Sequence, residues 1–155
     1  MKRVIKTSGA PAAIGPYSQA IEANGTLYIS GQLPVNPATG EVPATIEGQV
    51  EQCFANIKAI LNEAGYTFDD VVKSVVLLDD LANFNAMNDI YAKYYTKDMP
   101  ARVCYQVCKL PKGVKVEIDT TAVKELFEKY FLLRSGRNIA LRLLRRERLF
   151  CRYRQ

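Results

Sequence analysis

The chain has 155 residues, a formal net charge of +5 and no histidine. The missing histidine excludes Ser-His-Asp and Cys-His catalysis, and four dispersed cysteines with no C-x-x-C pair leave no usual zinc ligand set. Hydrophobic content of 48% and charged content of 24% suit a single globular domain with a respectable core, and no apolar run is long enough to span a bilayer.

Residues Met1 to Gln19 carry basic side chains but no apolar stretch of signal-peptide type, so a cytoplasmic location with reduced cysteines is expected. Val4-Ile5-Lys6 is a short strand candidate, and the turn-rich run from Gly9 to Pro16 is a loop. Tyr17 to Ala23 and Thr26 to Ser30 flank Asn24-Gly25, a strong hairpin signal. Gly31 to Gly40 forms another loop. Ile46, Val50, Phe54, Ile57, Ile60, Leu61 and Ala64 then recur at three- and four-residue steps, which predicts a helix with one apolar face. Thr45 is its candidate N-cap and Gly65 its stop. Val71 to Leu78 is a β-rich run for a well-buried strand. Asp79 or Asp80 can cap a second helix over 81–95, with Leu81, Phe84, Met87, Tyr91 and Tyr95 along one side. A strand containing Arg102, a Leu110-Pro-Lys-Gly113 turn and a strand containing Glu117 follow, ending at Val123.

The order β-β-β-α-β-α-β-β predicts an α+β fold: two layers, a mixed sheet with both helices on one face. The other face of the sheet then carries strand residues that also need cover, which predicts self-association through it.

Residues 124–155 break this pattern. They hold ten lysines and arginines against three acids, a net of +7, which leaves 1–123 at −2. Two amphipathic stretches, around 125–133 and 138–150, are helix candidates of a basic kind that can meet membranes or nucleic acid. The domain reads as complete at Val123, so this basic extension reads as an addition to it, such as translation past a natural stop.

Arg102 stands out because it lies on a strand expected to be half buried. A guanidinium there needs an anionic partner, either a protein carboxylate or a ligand's carboxylate or phosphate. Period two puts Arg102, Cys104, Gln106 and Cys108 on one face, and Lys115, Glu117 and Asp119 on one face of the next strand. Joined by a tight turn, the two polar faces are expected to coincide. Arg102 and Glu117 then either pair with each other or form a small-molecule site. Cys104 is read first as a packing residue, although a thiol beside Arg102 could have a lowered pKa. Tyr17 and Ser30 lie at strand ends beside Gly/Pro loops, and Asn88 sits among apolar helix positions. Tyr91, Tyr94 and Tyr95 read as core or interface. No Walker-type loop, G-x-G-x-x-G or RNA-recognition signature occurs, and the acidic body disfavours nucleic acid except through the tail.

Several of these segments, taken together and in order, resemble the RidA (YjgF) family. They are Gly9-Ala-Pro-Ala-Ala-Ile-Gly-Pro-Tyr17-Ser-Gln, Ile29-Ser30-Gly31-Gln32-Leu33-Pro34, Asn36-Pro-Ala-Thr-Gly-Glu41, Pro100-Ala-Arg102-Val-Cys104, and Leu110-Pro-Lys-Gly113 followed by Val116-Glu117-Ile118. The resemblance covers about residues 1–123, and the tail has no counterpart in it. It implies a chorismate-mutase-like fold and a homotrimer with sites in the clefts between subunits. It also implies hydrolysis of 2-aminoacrylate-type enamines and imines, released by pyridoxal-phosphate-dependent serine and threonine dehydratases, to 2-oxo acids and ammonia. No metal or cofactor is implied. Arg102 becomes the carboxylate anchor and Glu117 the residue that activates water. Tyr17, Ser30, Gly31, Asn88 and Cys104 line the pocket. Two other expectations stand beside this one: a non-catalytic trimer that binds 2-oxo acids, and an RNA-directed ribonuclease or translation inhibitor.

Overall fold

The computed structural model describes residues 1–124; the expectations placed on 125–155 lie outside the described residues. Six strands form one sheet, β1 (Lys2–Ile5), β2 (Ala20–Ala23), β3 (Thr26–Gln32), β4 (Val71–Leu78), β5 (Ala101–Gln106) and β6 (Val116–Val123). Two helices, α1 (Ile46–Ala64) and α2 (Phe84–Tyr94), cover one face of it. The mixed two-layer α+β fold expected from the pattern is the one observed. Among the described residues no helix is long and apolar enough to cross a membrane.

Helix α1 starts and stops where its residues dictate. The Thr45 hydroxyl accepts from the Gly48 amide at 3.2 Å, and Gly65 takes the left-handed conformation (φ 82°) that a side chain would resist. All seven apolar positions of the expected stripe are buried. Phe54 is their centre, stacked on Tyr94 at 4.3 Å and edge-on to Tyr91 at 5.5 Å and Tyr95 at 5.8 Å. Helix α2 is shorter than the expected 81–95: Leu81–Asn83 is a 3₁₀ turn, capped by the Asp80 carboxylate accepting from the Ala82 amide at 2.8 Å. Strand β2 is also shorter than expected, because Tyr17 to Gln19 stay outside it as loop.

Strand order is β1-β2-β3-β6-β4-β5. The hairpin expected between the Arg102 and Glu117 strands does not form. Strand β5 instead pairs in parallel with β4, with Ser74 opposite Arg102 and Val76 opposite Cys104. Strand β6 lies antiparallel between β3 and β4, with Leu77 opposite Glu117 and Val76 opposite Ile118. The connection 107–115 is held by the chain around it: the Val107 amide donates to the Leu78 carbonyl at 2.9 Å, and the Lys115 amide to the Gln49 side chain at 2.7 Å.

Ser74, Val76, Leu78, Val116, Ile118 and Thr120 point into the helix layer and are buried. The alternate residues face away from the helices. On that open face Tyr28 and Tyr105 are more than half exposed, and Val75, Leu77 and Val103 are half-buried.

Candidate functional site

Arg102 follows from β5 being an edge strand that α2 overhangs. In register with Ser74, its side chain rises on the helix-covered side and meets α2. Its Nη1 donates to the Asn88 Oδ1 at 2.8 Å, and its guanidinium carbon lies 4.5 Å from the Tyr91 ring centroid and 5.7 Å from that of Phe84. No carboxylate among the described residues lies within ion-pair distance of it. An amide and two aromatic faces hold the charge without neutralising it. Cys104 is next on the same face, packed against the core. Desolvation pushes its thiol pKa up, and the neighbouring Arg102 charge offsets this only partly, so the activated thiol that the sequence allowed is absent.

Glu117 is placed by β6 and by a bulge in β3. The β3–β6 register shifts between Ile29 and Gln32, which turns Ser30-Gly31 out of the regular ladder. The Glu117 carboxylate occupies the space where a Cβ on Gly31 would stand, so glycine is required there for close approach. Desolvation is the larger cause raising the Glu117 pKa above 4.5, and the Asp119 charge two residues along adds to it. A half-buried carboxylate held in this way is a stronger base than an exposed one.

The polar faces of the Arg102 and Glu117 strands do not coincide. Strand β4 separates the two, and Leu77 sits opposite Glu117 while Ser74 sits opposite Arg102, which puts the two side chains on opposite faces of the sheet. The mutual ion pair weighed from the sequence does not form. One chain therefore carries two candidate half-sites: the Arg102 guanidinium with Asn88 and Cys104 at the β5 edge, and the Glu117 carboxylate with Ser30-Gly31 on the open face.

The remaining expected residues fall near the second half-site. The Ser30 hydroxyl donates to the Ser18 carbonyl at 2.7 Å and its amide to the Gln19 carbonyl at 3.0 Å, which ties the Tyr17 loop to β3. Tyr17 is 53% exposed, and its hydroxyl accepts from the Ile14 amide at 3.3 Å. Two buried amides that sequence reading passed over shape this region. Gln19 donates to the carbonyls of Thr7, Ala10 and Pro11 and so fixes the glycine-proline loop. Asn56 donates to the carbonyls of Leu33 and Val35 just after the bulge. Asn56 carried a signal: it is a polar side chain beside Cys53 and Ile57 on the apolar face of α1.

Residues 7–124 match the family model described as endoribonuclease L-PSP. A goat (Capra hircus) protein named 2-iminobutanoate/2-iminopropanoate deaminase is 50% identical over 125 residues, 80% of this chain and 91% of the relative. A solved structure from Yersinia pestis, described as a member of the conserved Rid protein family, superposes with a TM-score of 0.78 at 48% identity, over 80% of this chain and all of that one. The chain belongs to the RidA (YjgF) family. The Escherichia coli protein TdcF, solved with bound serine, is similar as well: TM-score 0.77 and 40% identity, over 79% of this chain and 98% of that one. Membership in the RidA family agrees with the order of the five matched segments and with the chorismate-mutase-like architecture. The half-sites lie within the matched span, and the basic extension beyond Lys124 lies outside it.

Proposed function

We propose that the protein hydrolyses reactive enamines and imines of the 2-aminoacrylate type to 2-oxo acids and ammonia. The observation that carries this reading is Arg102: a half-buried guanidinium with Nε and Nη2 free of acceptors among the described residues, suited to a small carboxylate. A relative named for this deamination and a neighbour holding serine, itself a small carboxylate, support it.

The substrate's carboxylate docks on Arg102. The enamine tautomerises, its methylene carbon taking a proton as its nitrogen gives one up, and the resulting imine is electrophilic at C2. Water adds to that carbon while Glu117, ionised, takes the water's proton. Glu117 returns that proton to the nitrogen, and the carbinolamine collapses: the hydroxyl proton passes to the nitrogen as the C2–N bond breaks, so the nitrogen leaves as ammonia and the C2 oxygen becomes the ketone. The imine carbon is already electrophilic, so orientation and one carboxylate base suffice.

Opposite faces of one sheet cannot serve one small molecule. The working site therefore lies in a cleft where Arg102 meets Glu117 of the partner subunit, in a homotrimer whose subunits cover the open face. Tyr17, Ser30, Gly31, Asn88 and Cys104 line that cleft. The substrates come from pyridoxal-phosphate-dependent serine and threonine dehydratases in the cytoplasm. The net charge of −2 over 1–123 weighs against RNA as substrate.

The test couples a threonine dehydratase to this protein and follows 2-oxobutanoate release. Wild type is expected to accelerate release and Arg102→Ala to lose at least thirtyfold in kcat/KM, from about 2–3 kcal/mol of charge-assisted hydrogen bonding. A chain ending at Val123 runs beside them, to separate any effect of the extension. Saturable 2-oxobutanoate binding without turnover in both lengths would refute the deaminase and leave a binding trimer.

A further inference from the structure

Aromatic rings and an amide, rather than a carboxylate, stand beside Arg102 among the described residues. Phe84, Asn88 and Tyr91 sit at four- and three-residue steps on α2, so one helix face presents two rings and an amide to the guanidinium. Asn88 takes Nη1. The planar group has one other two-donor edge, Nε with Nη2, and it is the edge that binds a carboxylate side-on. The Tyr91 face at 4.5 Å is well within cation–π range. The Tyr91 ring is itself fixed: it is buried, edge-on to Phe54 and 4.7 Å from Tyr95.

We propose that Tyr91 is a positioning residue for substrate carboxylates: its ring face and the Asn88 amide lock Arg102 so that the Nε/Nη2 edge stands ready before the ligand arrives. The inference rests on the reading of Arg102 as a carboxylate anchor. The cradle replaces the neutralising acid that a half-buried arginine would otherwise need. An acid there would compete with the ligand, whereas an amide and π faces hold the cation and leave its charge uncompensated. Preorganisation of this kind acts on binding, because it removes the cost of ordering a long side chain.

The probe is 2-oxobutanoate, with its Kd measured by calorimetry on the full chain. Tyr91→Leu removes the ring face and is expected to weaken binding about tenfold, while Tyr91→Phe keeps the ring and restores most of the affinity. Ile60→Ala, in the core of α1 and away from Arg102, controls for lost stability and is expected to lower Tm without moving Kd. In wild type the Arg102 Hε resonance is expected upfield of free arginine, under the Tyr91 ring current, which reads the cradle even if Tyr91→Leu fails to fold. Tyr91→Leu binding as tightly as wild type, or an Arg102 Hε shift equal to that of free arginine, overturns the proposal. The affinity ladder without imine hydrolysis would uphold the cradle and sink only the deaminase reading. Imine hydrolysis without any 2-oxobutanoate binding would sink the cradle alone.

Discussion

Replacing Gly31 by alanine isolates the seat of the Glu117 carboxylate. The added methyl would overlap the nearer carboxylate oxygen and stand 2.9 Å from Cδ and 3.1 Å from Cγ of Glu117. The obstacle is the end of a flexible side chain, so the backbone need not move and Glu117 must swing to another rotamer. That costs about 0.5–1.5 kcal/mol, a drop in Tm of a few degrees for a domain of this size. The proposed mechanism makes the catalytic effect far larger. A carboxylate displaced by about 1 Å or more from its working position loses on the order of a hundredfold in rate. The dehydratase-coupled assay should therefore show a kcat/KM loss of about a hundredfold with Arg102-dependent affinity for 2-oxobutanoate retained. Gly31→Ala in a Glu117→Gln background should add little further loss, since both changes act on one group. Full additivity of the two losses, or a Gly31→Ala enzyme within twofold of wild type, would refute the claim that this glycine exists to admit Glu117.

The raised Glu117 pKa has a defined sign. Its ionised form is penalised in the fold, so the native state holds the proton more tightly, and stability falls as pH rises from 4.5 through the folded pKa. Glu117→Gln should remove that part of the slope in urea titrations across this range. In the proposed mechanism the base form is the active one, so the acid limb of the pH–kcat/KM profile should lie above 4.5 and move down in Asp119→Asn, which removes the second cause of the shift. Phe54→Ala should cost about 3–5 kcal/mol in chemical denaturation, because it empties the centre of the aromatic cluster. Leu77→Lys puts a charge on the open face and should convert a three-subunit species to monomer in light scattering, with activity lost in parallel; an unchanged mass would place the interface elsewhere.

The sequence by itself determined the local elements. The three- and four-step apolar spacing, Thr45 and Gly65 defined α1, and the Val71 to Leu78 run defined β4, since these depend on neighbours along the chain. Alternation also divided the Arg102 and Glu117 strands correctly into two faces, whereas the Val71 to Leu78 run, expected to be well buried, buries only one face and leaves Val75 and Leu77 half-buried on the other. Alternation carried no information about which strand lies beside which, and there the expectation failed. Strand β6 inserts between β3 and β4, and β5 pairs with β4 across the α2 crossover, so Arg102 and Glu117 separate to opposite faces although only a short segment of chain joins their strands. The partner of Arg102 was equally hidden. The sequence demanded an anion for a half-buried cation, either a protein carboxylate or a ligand; the tertiary structure supplied no protein carboxylate among the described residues, but Asn88, Tyr91 and Phe84 from α2. Strand pairing is decided by burial and hydrogen bonding between segments distant in sequence. A site built across those segments becomes visible only once they meet.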